Sequence, residues 1–159
     1  MSKLHYIAPT APMAVAMTVR LGVTGAANRY ADVDVGKPVK LAAESQYNLT
    51  AAGDEIEGFI SSVESAPSGG FSVGGIVEEG QFNVTLDGIQ ATPGTGTVAI
   101  GDYVVTGTVV ARGTAMTVYP KVCKATGAGT TLNYKWRVVS LGTAGTGAVG
   151  TSAVIKRVL

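Results

Sequence analysis

Several stretches of the chain carry residues in spacings that could do chemistry. Gly70-Phe71-Ser72-Val73-Gly74 matches the G-x-S-x-G pattern that presents a serine nucleophile on a strand-to-helix turn. That chemistry needs a base and an acid in reach, in the chain order Ser, acid, His. The single histidine, His5, lies upstream, and the residues after Gly74 read as strand, so Ser72 is expected to be structural. Gly145-x-Gly147-x-x-Gly150 matches a dinucleotide fingerprint, which needs a following helix and an acid about 20 residues on. No acid follows these glycines, and a sharply turning loop is the expectation.

Metal and redox chemistry fare no better. Asp32-Val33-Asp34 and Asp54-Glu55-x-Glu57 lack the spacing and the later bidentate glutamate of a calcium loop. Glu55 and Glu57 would share one face of a strand, as a glycosidase pair does, but so do the acids of any solvated strand. His5 and Cys123 are each the only residue of their type, which rules out an intrachain disulfide and a cysteine metal cluster. Cys123, between Val122 and Lys124, reads as a small core hydrophobe. No cofactor and no metal are expected. Lys135-Trp136-Arg137, next to Tyr134, is the base-plus-aromatic cluster that stacks single-stranded nucleic acid. On a strand, though, the aromatics face one way and the charges the other. Trp136 is therefore assigned to the core, and nucleic acid is not expected as a partner.

Charge is sorted by position. From Leu41 to Ala111 there are nine acids and no Lys or Arg; from Arg112 to Leu159 there are seven bases and no acid. A chain of net charge +1 is thus built from an acidic middle and a basic end. Either the folded surface has opposite poles, suited to docking of many copies, or acidic and basic strands pair within one sheet.

The elements that must position these residues are strands. Charged residues are only 14% and glycines number 22 in 159, with Val, Thr and Ala abundant. Gly, Val and Thr are poor helix formers and suit strands joined by tight turns. Residues 1–12 read as an extended arm, because Pro9 and Pro12 cannot donate to a ladder. Residues 13–159 read as a single β domain. Alternation predicts strands over Met13–Arg20, Lys37–Ala42 (Pro38 at an edge or start), Glu55–Glu64, Gly70–Glu78 and Gln81–Leu86. It predicts others over Ala99–Ala111, Thr114–Ala125, Thr131–Leu141 and Ser152–Leu159. Glu79-Gly80 reads as a hairpin turn between its neighbours. Ala26–Ala31 and Leu41–Ala52 are weak helix candidates. Gly53-Asp54-x-Ile56 and Gly101-Asp102-x-Val104 both open strands, an echo read as recurring turn chemistry and not as a duplicated module. About nine or ten short strands predict an all-β, jelly-roll-like sandwich or small barrel. No stretch approaches the roughly 18 to 20 apolar residues of a membrane span. Residues 8–19 read as mature sequence despite a faint likeness to a signal peptide, and no membrane partner is expected.

Four stretches carry a resemblance to a known family. They are Val35-Gly36-Lys37-Pro38-Val39-Lys40-Leu41, Ala51-Ala52-Gly53-Asp54-Glu55-Ile56-Glu57-Gly58-Phe59-Ile60, Ile100-Gly101-Asp102-Tyr103-Val104-Val105 and Val149-Gly150-Thr151. In these the chain resembles the small capsid decoration, or cement, proteins of tailed bacteriophages, over about residues 30–159. The resemblance implies a jelly-roll-like fold, no enzymatic activity, and homo-oligomers (dimer favoured, trimer possible) on the outer surface of the virion. It also implies contacts that bridge neighbouring major capsid protein subunits. Candidate capsid contacts are Leu4, His5, Tyr6 and Ile7 in the arm, which could add a strand to a partner's sheet, together with Arg112, Lys121 and Lys124. The alternative is a carbohydrate- or receptor-binding β module stacking sugars on Tyr30, Tyr47, Tyr103 or Trp136.

Overall fold

The structure, a computed structural model, describes residues 16–23, 25, 28–64, 70–126 and 131–158. The arm expected over residues 1–12, with Leu4, His5, Tyr6 and Ile7, lies outside the described residues. The fold is all-β, with eleven strands among the described residues: β1 (Ala16–Leu21), β2 (Pro38–Ala43), β3 (Gln46–Leu49), β4 (Gly58–Glu64), β5 (Ser72–Val77), β6 (Gln81–Ile89), β7 (Thr92–Pro93), β8 (Tyr103–Thr106), β9 (Lys121–Lys124), β10 (Lys135–Leu141) and β11 (Ser152–Val158). A 3-10 turn, Asp32–Asp34, precedes β2.

Pairing selects the barrel form of the expected fold, and does so twice. The first five strands close in the order β1-β3-β2-β4-β5, with β1 parallel to β3 and antiparallel to β5. The second sheet runs β11-β10-β8-β9-β6-β7, and pairing of β11 with β6 joins five of these strands in a ring. There β6 is parallel to β9 and antiparallel to β11. Numbering each ring's strands one to five in chain order, and leaving out the two-residue β7, both rings read 1-3-2-4-5, with the same single parallel pair.

The described chain is therefore a topological repeat, which the sequence does not reveal. The Gly-Asp echo does not mark it. Gly53-Asp54 follows the third strand of its ring, whereas Gly101-Asp102 precedes the second strand of the other. As turn chemistry the echo is real. Ala51 N–H donates to Asp54 Oδ2 and Ala99 N–H to Asp102 Oδ2, while each Asp N–H returns to the Ala carbonyl. Ala31 and Asp34 repeat the pattern a third time.

Three further expectations are corrected. Glu79-Gly80 is not a hairpin turn: β5 pairs with β1 and β4, β6 with β11, β9 and β7, and Gly80, at φ 113°, carries the chain from one ring to the other. Residues 41–52 are not helical. They form the β2–β3 hairpin, whose tip is held by Ser45 at φ 53°. Long strands expected over 99–111 and 114–125 shrink to β8 and β9, because the backbone leaves the ladder at Gly107 and returns only at Pro120.

Each ring has its own filling. The first encloses Val19, Leu21, Tyr30, Val35, Val39, Tyr47, Ile60 and Ile76. The second encloses Phe82, Val84, Leu86, Val104, Val122, Trp136, Val138, Ala153 and Ile155, and its cluster extends into the first ring through Ile56, Phe59 and Val77. Strand β4 sits between the two interiors. Alternation sends Ile60 into one and Phe59 into the other, where Phe59 stacks on Phe82 at 4.2 Å and meets Trp136 edge-on at 5.3 Å. Such aromatic contacts add about 0.5–1.5 kcal/mol each beyond area burial.

Candidate functional site

The residues singled out for chemistry fall into structural roles. Ser72 is fully buried at the start of β5, and its Oγ accepts the backbone N–H of Tyr30 at 2.8 Å. Gly74 belongs to the same motif because Leu21 and the Ser62 carbonyl crowd the position a Cβ would take. Gly145, Gly147 and Gly150 have φ of 61°, 63° and 83°, and the Gly147 carbonyl accepts the N–H of Val98, so the triplet is a left-handed turning loop that feeds β11. Cys123 is buried, donates from Sγ to the Asp87 carbonyl, and its thiol is pushed up to about 11, first by burial and then by the Asp87 carboxylate. A thiol held protonated is a poor nucleophile and a poor metal ligand. Among the described residues, no group of three His, Cys, Asp or Glu is placed to hold a metal ion.

The sorted charges meet across the fold. Lys121 Nζ lies 3.6 Å from Asp87 Oδ1, Lys124 Nζ 3.0 Å from Asp102 Oδ1, and Arg157 Nη1 3.9 Å from Glu78 Oε2. Arg157 also donates to the Glu78 carbonyl and lies over the Tyr134 ring. Glu55 Oε2 accepts the N–H groups of both Asn133 and Tyr134. In each of these contacts through Glu55, Glu78, Asp87 or Asp102 an acidic-middle residue meets the basic end of the chain, so the sorting serves internal pairing to this extent. Lys121, Lys124 and Arg112, the capsid-contact candidates in the described part, are all half-buried and engaged internally. Arg112 donates to Asn28 Oδ1 at 3.2 Å and sits over the Tyr30 ring.

A buried polar unit joins the rings, and its sequence signal is weak. Lys37, 2% exposed, donates from Nζ to Asp34 Oδ1, the Ala111 carbonyl and the Thr114 carbonyl, each at 2.7 Å. Asp34, fully buried, also accepts the N–H of Gly113 at 2.8 Å and of Ala31 at 3.0 Å. All three ammonium protons have acceptors, which is the condition for keeping a lysine charged away from water. The unit pins the loop from Gly107 to Pro120 onto the first ring. The D-x-x-K spacing that encodes it is too common in sequences to stand out.

Under that loop lies a cavity of about 220 Å³, walled by Pro38, Leu49, Thr106, Val110, Met116 and Pro120. Thr106 is buried in its lining, and its Oγ1 has no hydrogen-bond partner among the described residues. On the outside, Ile100 is 63% exposed and Val118 52%, joined by Leu41, Val109 and Val149 among the exposed large apolar side chains. Of the aromatic residues proposed to stack sugars, Tyr30, Tyr47 and Trp136 are buried, with Trp136 Nε1 donating to the Ile56 carbonyl at 2.8 Å, while Tyr103 is half-buried. Comparison with protein families, with curated proteins and with solved structures found no match to this chain.

Proposed function

We propose that this chain is a structural virion protein, a capsid decoration or cement protein that sits on the outer capsid surface as a homo-oligomer and bridges neighbouring major capsid subunits. The observation that carries the proposal is the placing of apolar side chains. Both interiors are filled, yet Leu41 near the β2–β3 hairpin tip, Ile100 before β8, Val109 and Val118 on the 107–120 loop, and Val149 before β11 stand in solvent. Exposed apolar side chains spread over several projecting segments suit a body that adheres at several points. Linked contacts of modest strength then add through effective concentration. The resemblance of residues 35–41, 51–60, 100–105 and 149–151 to tailed-phage cement proteins supports the same reading.

The experiment is co-sedimentation of the purified chain with undecorated capsids, followed by electron microscopy of the decorated particle. The expected result is saturable attachment and an added outer layer. A chain that stays in the supernatant at every concentration overturns the proposal. The carbohydrate-binding alternative is weakened by burial of Tyr30, Tyr47 and Trp136; reproducible glycan-array binding would restore it.

A further inference from the structure

Seven bases lie between Arg112 and Leu159. Arg112, Lys121, Lys124 and Arg157 are engaged within the fold. Lys135, Arg137 and Lys156 have no ion partner among the described residues, and all three lie on one face. Trp136 and Val138 on β10, and Ala153 and Ile155 on β11, point into the second ring. Alternation therefore turns Lys135, Arg137, Val154, Lys156 and Val158 outward. Register places Arg137 directly opposite Lys156 on one side and Tyr103 on the other, while Lys156 faces Gln81 across β6. The result is a row, Gln81–Lys156–Arg137–Tyr103, that crosses four strands, about 15 Å at the usual strand spacing. Lys135 lies in the adjoining row opposite Val158.

Like charges directly opposite each other on a sheet destabilise it. In this chain the other bases of the same segment sit beside carboxylates, carbonyls or rings, so an uncompensated Arg137–Lys156 pair is a local departure from the rule the rest of the segment follows. The exposed acid closest in sequence, Glu79, comes two residues before Gln81 and forms no ion pair with the row. Local charge rules broken at no gain to the fold mark interaction surfaces.

We propose that the outer face of β10 and β11, centred on Arg137 and Lys156 with Lys135 beside them, is the docking surface for a carboxylate-bearing face of the shell protein. The inference rests on the cement reading and names the surface that reading lacks. Complementary charge is the argument for the occupant: a partner carboxylate between Arg137 and Lys156 turns a repulsive pair into a bridged one. The flanking rows favour a protein over nucleic acid. Val154 and Val158 interrupt the charges, and Trp136, the ring a base would stack on, lies beneath the sheet.

The test compares the parent chain with Arg137→Glu/Lys156→Glu and with the charge-preserving Arg137→Lys/Lys156→Arg in capsid co-sedimentation at low salt and at 1 M salt. Charge reversal is expected to weaken attachment about tenfold or more at low salt, while the charge-preserving variant attaches like the parent. The parent's attachment should fall toward the reversed variant's at 1 M salt, where the screening length is about 3 Å. Thermal melts of the reversed variant should match the parent's, because one like-charge pair replaces another on an exposed face, which separates lost docking from lost folding. Equal attachment of parent and reversed variant overturns the surface and leaves the cement reading standing. A parent that never attaches overturns the cement reading and the surface with it. Tight binding of duplex DNA by the parent, lost on charge reversal and without capsid attachment, assigns the face to nucleic acid instead.

Discussion

The two rings share one connectivity but are not equally self-sufficient. Among the described residues, the buried apolar side chains of the first ring's interior come from residues 19–76. The interior of the second takes Ile56, Phe59 and Val77 from the first. In the other direction the main tie is polar: Asp34 and Lys37 of the first ring rely on Gly113, Ala111 and Thr114 of the second. Connectivity alone therefore does not set how a barrel is stabilised. The same winding is filled once with aliphatic residues and two tyrosines, and once around an aromatic trio that also fastens the neighbour.

The largest effect should come from breaking that trio. Trp136→Ala removes a fully buried ring that touches Phe59 and Phe82 and donates to the Ile56 carbonyl. It should cost about 3–5 kcal/mol in urea unfolding. Leu21→Ala, deep in the first ring, should instead loosen that ring while the near-ultraviolet signal of Trp136 persists. If Trp136→Ala leaves hydrogen exchange in β4 unchanged, the trio does not join the rings.

Next comes the buried ion pair. Lys37→Met leaves the Asp34 carboxylate without its cation and frees the carbonyls of Ala111 and Thr114, a loss of about 3 kcal/mol. The double variant Asp34→Asn/Lys37→Met should recover part of it, because no buried charge is then left alone. Accelerated exchange at the Gly113 amide, ahead of the strands, is the sign that the 107–120 loop has come away. An unchanged Gly113 amide would show that the loop is held by other contacts.

Much of the framework could be read from residues alone. Phe82, Val84 and Leu86 alternate into the second interior as expected, the final strand runs within the expected span, Pro38 opens its strand, and Trp136 is core. What escaped depends on partners far away in the chain. Glu79-Gly80 has the chemistry of a hairpin turn, and only β6 pairing with β11, about seventy residues on, makes it a passage between rings. Ala99–Ala111 alternates well past Thr106, but Asp87 accepts both the N–H and the hydroxyl of Thr108 and pulls the backbone off the ladder. The basic face is half visible in the sequence: alternation turns Lys135 and Arg137 outward, but Lys156 joins them only through register.

The smallest of the three effects concerns alkaline pH and falls on both rings. The Cys123 thiol, ordinarily at 9.0, is pushed up to about 11 in the fold. Between those values the unfolded chain has released a proton that the folded chain keeps. The stabilisation present below pH 9 is therefore lost as pH climbs toward 11. Tyr47 in the first ring is raised as well, by burial and then by donating to Glu78 Oε1, so its share is lost above about pH 10. Melting temperatures should hold to about pH 9 and then fall, the thiol accounting for about 2–3 kcal/mol of the loss. Cys123→Ala should flatten the decline between pH 9 and 11, and Tyr47→Phe the part above pH 10. A parental slope in both variants would place the sensitivity elsewhere.

The way each ring is closed has a mechanical consequence. Ala16 lies beside Val77, and Gln81 beside Lys156, so the thread enters and leaves each ring at a single spot. A tug on the thread would peel the closing seam open one rung at a time, because its two strands run in opposite directions away from that spot. The molecule resists load well only when gripped by its flanks, and yields when pulled by its ends.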